Sequence, residues 1–267
     1  MASTDLPTGG TQGADPWAHL ARHTPARIAL GRAGGSARTA SLLDFRLSHA
    51  RARDAVYAAF DAEGVWRRLE ESGIASEVLA TAVADREQYL VRPDLGRILS
   101  AESRASLTAH AKAWGRPDLV IIVSDGLSAT AAHRQAQPLL QVLVSALKDD
   151  GWNLCPILVV PFARVKLQDE IGSILGARQS LMLLGERPGL GSPDSLGAYF
   201  TWEPAAAKSD ADRNCVSNIR PGGLPPALAA RKLASLLASS ARLQTSGVSL
   251  KDETGDLAID SARRLPT

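Results

Sequence analysis

The apolar positions of this chain change rhythm at Pro117. Downstream of it, Asp118-Leu119-Val120-Ile121-Ile122-Val123 is an unbroken β-branched run, which suits a strand buried on both faces. A helix is expected from about Ser128 to Lys148, with Leu139, Leu140, Leu143, Val144 and Leu147 inward and Pro138 kinking or dividing it. Ile157-Leu158-Val159-Val160 reads as a second strand, 168–175 as a helix stopped by Gly176, and Ser180-Leu181-Met182-Leu183-Leu184 as a third strand. A last helix fits 225–243, with Pro225 and Pro226 at its start. Alternation of strand and helix predicts a parallel sheet with right-handed crossovers, a Rossmann-like α/β domain over 116–250.

Upstream, the pattern is helical and interrupted. Leu43, Leu47, Ala50, Asp54 and Tyr57 share one stripe of a helix from Thr39 to Phe60, widened by Leu42, Phe45 and Val56. Shorter helices fit 63–72 and 101–113, so 15–115 reads as a small, mostly helical N-terminal region. Residues 1–14 read as a disordered tail and 251–267 as a flexible one.

Between the third strand and the last helix lies a Gly/Pro-rich segment from Gly185 to Gly223. It is too long for an ordinary connection, and Leu190, Leu196, Tyr199, Phe200, Trp202 and Ile219 make it too apolar for simple disorder. It reads as a long loop that folds back over the carboxyl ends of the strands, where ligands of open α/β sheets bind. Segments 124–128, 161–167 and 185–197 share that edge.

Composition narrows the function class. The 267 residues are 45% hydrophobic and carry 30 basic against 28 acidic side chains, so nothing points to nucleic acid or an anionic membrane as partner. Two cysteines, Cys155 and Cys215, make neither a disulfide framework nor a metal-ligand cluster. No signal-type or membrane-spanning run is present, and a soluble cytoplasmic protein is expected.

The candidate chemistry is that of binding. Ser124-Asp125-Gly126-Leu127-Ser128 is either an anion-accepting helix N-terminus or a plain capped turn, and it matches neither dinucleotide nor Walker signatures. Glu186 directly follows the third strand, where a carboxylate accepts ligand hydrogen bonds or pairs with Arg187 or Arg220. Cys215 lacks a recognisable base, because all five histidines lie in the N-terminal half. His49 and Arg53 share a helix face of the kind that meets solvent or another subunit. A stand-alone enzyme using Asp125, Glu186 and Cys215, or a pure scaffold, would fit the same residues.

Seven motifs in order add a resemblance. They are Arg27-Ile28-Ala29-Leu30-Gly31-Arg32-Ala33-Gly34-Gly35-Ser36, His49-Ala50-Arg51-Ala52-Arg53-Asp54-Ala55-Val56, Ser124-Asp125-Gly126-Leu127-Ser128-Ala129, Arg164-Val165-Lys166, Asp169-Glu170-Ile171-Gly172, Gly185-Glu186-Arg187-Pro188-Gly189-Leu190 and Asn214-Cys215-Val216-Ser217-Asn218-Ile219. Together they resemble the small (light) subunit family of ethanolamine ammonia-lyase. The resemblance implies an adenosylcobalamin-dependent lyase that converts ethanolamine to acetaldehyde and ammonia. It further implies a large-subunit partner holding the substrate pocket, in a hetero-oligomer built as a trimer of two-plus-two units. On this chain it implies cofactor-binding positions Val165, Glu186 and Cys215, and no catalytic residue. Some relatives carry an amphipathic N-terminal extension linked to packaging in a bacterial microcompartment, and residues 1–14 are not amphipathic.

Overall fold

The computed structural model describes residues 17–24 and 26–252. The two terminal segments expected to be tails fall almost wholly outside that range. A small hairpin of β1 (Arg32–Ala33) and β2 (Ser36–Ala37) leads into α1 (Thr39–Tyr57) and α2 (Ala62–Glu71). β3 (Ser76–Val78), α3 (Arg86–Val91) and α4 (Ala101–Trp114) follow. The remainder is β4 (Leu119–Ser124), α5 (Ala129–Asp149), β5 (Ile157–Val159), α6 (Leu167–Leu175), β6 (Gln179–Gly185), β7 (Leu196–Trp202), β8 (Arg213–Ile219) and α7 (Pro226–Leu243).

The architecture is α/β around one six-stranded mixed sheet of order β3-β5-β4-β6-β7-β8. The first four strands in that order are parallel, and β7 and β8 continue the sheet antiparallel to their neighbours. Side-chain alternation sorts two cores. Leu119, Ile121, Val123, Leu181, Leu183, Ala198 and Phe200 face α2, α5 and α7. Val120, Ile122, Leu158, Met182 and Leu184 face α4 and α6. Strands buried on both faces carry no polar alternation, which is why β4, β5 and β6 read as continuous apolar runs.

Three expectations change. The segment from Gly185 to Gly223 is not one wrapping loop, because β7 and β8 lie within it. Both were hidden by composition: β7 contains Gly197 and Ala198, and β8 is an edge strand whose outward positions Cys215, Ser217 and Asn218 are polar or small. The region 15–115 is not purely helical either. Ser76, Glu77 and Val78 pair with β5, and Val65, Leu69 and Ile74 enter the same core. A three-residue strand is too short to leave a periodic signal. Finally, Pro138 does not divide its helix, and α5 runs through it from Ala129 to Asp149.

The stripe on α1 is present but turned outward. Leu42, Leu43, Phe45, Leu47 and Tyr57 are exposed, whereas Ser48 and Ala55 are the buried positions. No helix among the described residues is long and apolar enough to cross a membrane.

The fully buried ring of Phe200 separates a true strand from a draped loop. Phe200→Ala should cost about 3–5 kcal/mol of unfolding free energy in chemical denaturation, as loss of a core aromatic does. A loss below about 1 kcal/mol would mean that this segment is surface covering.

Candidate functional site

Three connections at the carboxyl ends of β4, β5 and β6 are tied to one another. Asp125 is almost completely buried at the end of β4. Its carboxylate accepts the Phe162 N–H at 2.7 Å and pairs with the Arg86 guanidinium at 2.9 Å. Burial pushes the Asp125 carboxyl up, while the Phe162 N–H, the Arg86 charge and the Ser124 hydroxyl pull it down. Ser124 Oγ accepts the Ala163 N–H at 3.0 Å. Leu127 N–H donates to the Gly185 carbonyl at 2.9 Å, and Ser128 Oγ donates to the Pro193 carbonyl at 2.7 Å. A Cβ on Gly185 would sit 2.2 Å from the Ser128 carbonyl oxygen, so only glycine lets the two connections approach this closely.

This network decides between the two readings of 124–128. Ser128 caps α5 by accepting the Ala131 N–H, and the Ser128 N–H returns to the Asp125 carbonyl. The turn is a capped structural bridge that positions its neighbours. It also holds Phe162 in the left-handed region at φ 61°, with its ring against Tyr89.

The cavity lies beside this bridge. Helices α4 and α6 cover β4, β5 and β6 on one side of the sheet, and β7 and β8 extend past them. The uncovered face becomes the floor of a cavity of about 680 Å³. Its lining includes Arg164, Val165 and Lys166 before α6, Tyr199 and Cys215 on the floor, Lys208 and Arg213 on the far wall, and Arg97 at the rim. Behind the wall, buried Asp169 receives Arg213 through both guanidinium nitrogens, at 2.8 and 2.7 Å. Lys166 Nζ reaches the same carboxylate at 3.1 Å.

Glu186 stands on the same sheet face, next to this cavity rather than in its lining. One carboxylate oxygen accepts the Ser195 hydroxyl at 2.5 Å and the Asn218 N–H at 3.2 Å. The other lies 3.0 Å from where a Cβ on Gly197 would be, so glycine there leaves that oxygen uncrowded. Neither Arg187 nor Arg220 pairs with it among the described residues; Arg220 donates to Asn218 Oδ1 instead.

The β7–β8 register sets Tyr199 opposite Cys215. Cys215 keeps solvent contact, yet the protein around its sulfur pushes the thiol up to about 11. The Tyr199 hydroxyl pulls it down and the Glu186 charge pushes it up further. Tyr199 is itself raised, by desolvation first and then by Cys215 and Glu186. A neutral thiol, a neutral phenol and one carboxylate make a surface that packs and accepts hydrogen bonds.

Val165, Glu186 and Cys215 are thus brought to one side of the sheet, although Cys215 lies within a strand and not at a loop tip. Sequence reasoning missed Arg97, Tyr199, Lys208 and Arg213. Tyr199, Lys208 and Arg213 lie in the stretch taken for a loop, and Arg97 arrives through the packing of 95–97 against 162–164. His49 and Arg53 line a separate shallow hollow on α1 with Phe45, Arg46 and Ala50. No cluster of His, Cys, Asp and Glu suited to a metal ion occurs among the described residues.

Comparison with known proteins gives a consistent result. The family model described as ethanolamine ammonia-lyase light chain (EutC) matches residues 14–251. The ethanolamine ammonia-lyase small subunit of Pseudomonas putida is 52% identical over 240 residues, covering 90% of this chain and 88% of that protein. The same subunit of Pseudomonas syringae pathovar tomato is 52% identical, covering 90% and 84%. That of Azotobacter vinelandii is 50% identical over 249 residues, covering 93% and 92%. With residues 14–251 matched by the family model and about half of the positions identical to these small subunits, this protein belongs to the ethanolamine ammonia-lyase light-chain family.

Proposed function

We propose that this chain is the small subunit of an adenosylcobalamin-dependent ethanolamine ammonia-lyase, which converts ethanolamine to acetaldehyde and ammonia. Its task is to grip cobalamin at the interface with the large catalytic subunit. The observation that carries the reading is that Val165, Glu186 and Cys215, far apart in sequence, share one side of the sheet in or beside one open cavity. The parallel strands with ligand-facing connections at their carboxyl ends support a Rossmann-like description of 116–250.

The residues fit the group. Cobalamin is a broad corrin ringed by amides, with a phosphodiester and a ribose in its nucleotide tail. Val165, Tyr199 and Cys215 offer flat, uncharged contact to a corrin edge, and the uncrowded oxygen of Glu186 accepts from an amide N–H. When bound, adenosylcobalamin supplies radical chemistry through homolysis of its cobalt–carbon bond. This chain's residues hold the cofactor in orientation and keep water from that side.

A partner is supported by the exposed stripe Leu42, Leu43, Phe45 and Leu47, an apolar surface of the sort that another chain covers. Assembly as a trimer of two-plus-two units with the large subunit is part of the proposal.

Mixing the purified chain with its large subunit and adenosylcobalamin tests the reading: ethanolamine deamination should require both chains, and its absence ends the assignment. Glu186→Ala should weaken cobalamin binding to the complex about tenfold, equivalent to ~1.4 kcal/mol, with little change in melting temperature. Leu43→Glu combined with Leu47→Glu should weaken subunit association at least tenfold in sedimentation while leaving the isolated chain folded, since both side chains already face solvent. With its thiol pushed up to about 11, Cys215 is protonated at neutral pH. Its alkylation, mapped by peptide, should be slow at neutral pH and climb about tenfold per pH unit. Rapid neutral-pH labelling that abolishes turnover by the isolated chain would instead favour a stand-alone cysteine enzyme.

A further inference from the structure

The cavity carries more positive charge than its own carboxylates neutralise. Its lining holds five cations, Arg97, Arg164, Lys166, Lys208 and Arg213, against the single carboxylate Asp210, with Asp169 behind the wall. Arg213 is spoken for by Asp169 through two hydrogen bonds. Lys166 Nζ is held by the Asp169 carboxylate and by the carbonyls of Ala206 and Lys208. Arg164 stacks over the Tyr89 ring at 3.9 Å and donates to the Tyr89 carbonyl at 2.7 Å. It meets no carboxylate, and its Nε is buried without an acceptor. Among the described residues the Arg97 and Lys208 side chains make no hydrogen bond or close ion pair, although Lys208 lies within electrostatic reach of Asp212, which is itself held by Ser209. Asp210 is fully exposed and lies 3.5 Å from Arg213 Nε, so it serves that residue.

Arg97 and Lys208 nonetheless stand on fixed backbone. The Gly96 carbonyl accepts the Arg164 N–H at 2.8 Å, and a Cβ on Gly96 would lie 2.7 Å from the Phe162 carbonyl oxygen. Arg97 therefore starts from a point clamped beside Arg164. Lys208 is anchored through its own carbonyl, which accepts from Lys166 Nζ and from Arg213 at 3.5 Å. Two cations engaged by Asp169 thus hold the backbone that carries Lys208.

We propose that Arg97 and Lys208, together with Arg164 of the same lining, form an anion subsite that takes the phosphodiester of the cofactor's nucleotide tail. This rests on the cobalamin reading above. A corrin edge lying on Val165, Tyr199 and Cys215 leaves its tail beside the basic wall, and the phosphodiester is the tail's one anionic group. Guanidinium and ammonium groups on anchored backbone recognise such an anion with little ordering cost.

The test uses the assembled complex and two ligands, cobalamin and cobinamide, which keeps the corrin but lacks the nucleotide tail and its phosphodiester. In the Arg97→Gln, Lys208→Gln double variant, cobalamin affinity should fall about tenfold or more by spectral titration, and its salt dependence should flatten. Cobinamide affinity should stay at the wild-type value, which also shows that the variant is folded. Unchanged cobalamin affinity overturns the subsite. Equal loss for both ligands overturns it too, by placing the cations against the corrin. If neither ligand binds the wild-type complex, the cobalamin reading itself fails and takes the subsite with it.

Discussion

The buried carboxylate of Asp125 organises the carboxyl end of the parallel strands. Asp125 terminates β4, and its two oxygens reach Arg86 from α3 and the backbone of Phe162 after β5. The same Arg86 donates to the carbonyls of Gly126 and Val56, so one ion pair joins the N-terminal helices, the central strand and the connection carrying Val165. Burying a carboxylate is costly unless every lone pair finds a donor, and here the neighbouring elements must be in place to supply them. The geometry of the 161–167 connection therefore follows from the closure of this network.

The second constraint is the extent of the sheet relative to its cover. α5 and α7 pack together on one side and extend across to β7 and β8. On the other side α4 and α6 stop at β6, where Pro204 fills the space beside Gly172 of α6. Antiparallel strands added beyond that point have one bare face. Tyr199 and Cys215 line it because the pleat sends Phe200 and Val216 into the opposite core. A concave floor of this kind needs no special loop, only two strands more than the helices can cover.

The chain is built to be completed by something else. The open face of β7 and β8 carries Tyr199 and Cys215 beside a mostly basic wall, and the first long helix presents Leu43, Phe45 and Leu47 to solvent. Both features make sense for a member of a family named as one subunit of a larger lyase. The Cys215 thiol beside Tyr199, pushed up to about 11, is a small, soft, uncharged side chain of the kind that packs in a contact surface.

Local pattern was enough for the apolar strands β4, β5 and β6, the capped start of α5 at Ser128 and the order of the connections at their ends, because burial on both faces and cap chemistry are written in adjacent residues. Val165, Glu186 and Cys215 came from the family resemblance of their motifs and not from local pattern. Local pattern did not reveal β3, which is three residues long, or β7 and β8, whose glycines and polar outward positions imitate a loop. Strand pairing is a long-range contact, and a neighbour's unpaired backbone can recruit a segment that its own side chains do not mark. Nor does the apolar stripe on α1 say by itself which way it faces: packing turns Ser48 and Ala55 to the protein and leaves Leu43 and Leu47 exposed. Arg97 and Lys208 had no local signal at all: their place beside one cavity comes from backbone contacts between segments distant in sequence, and only the closed fold brings those segments together.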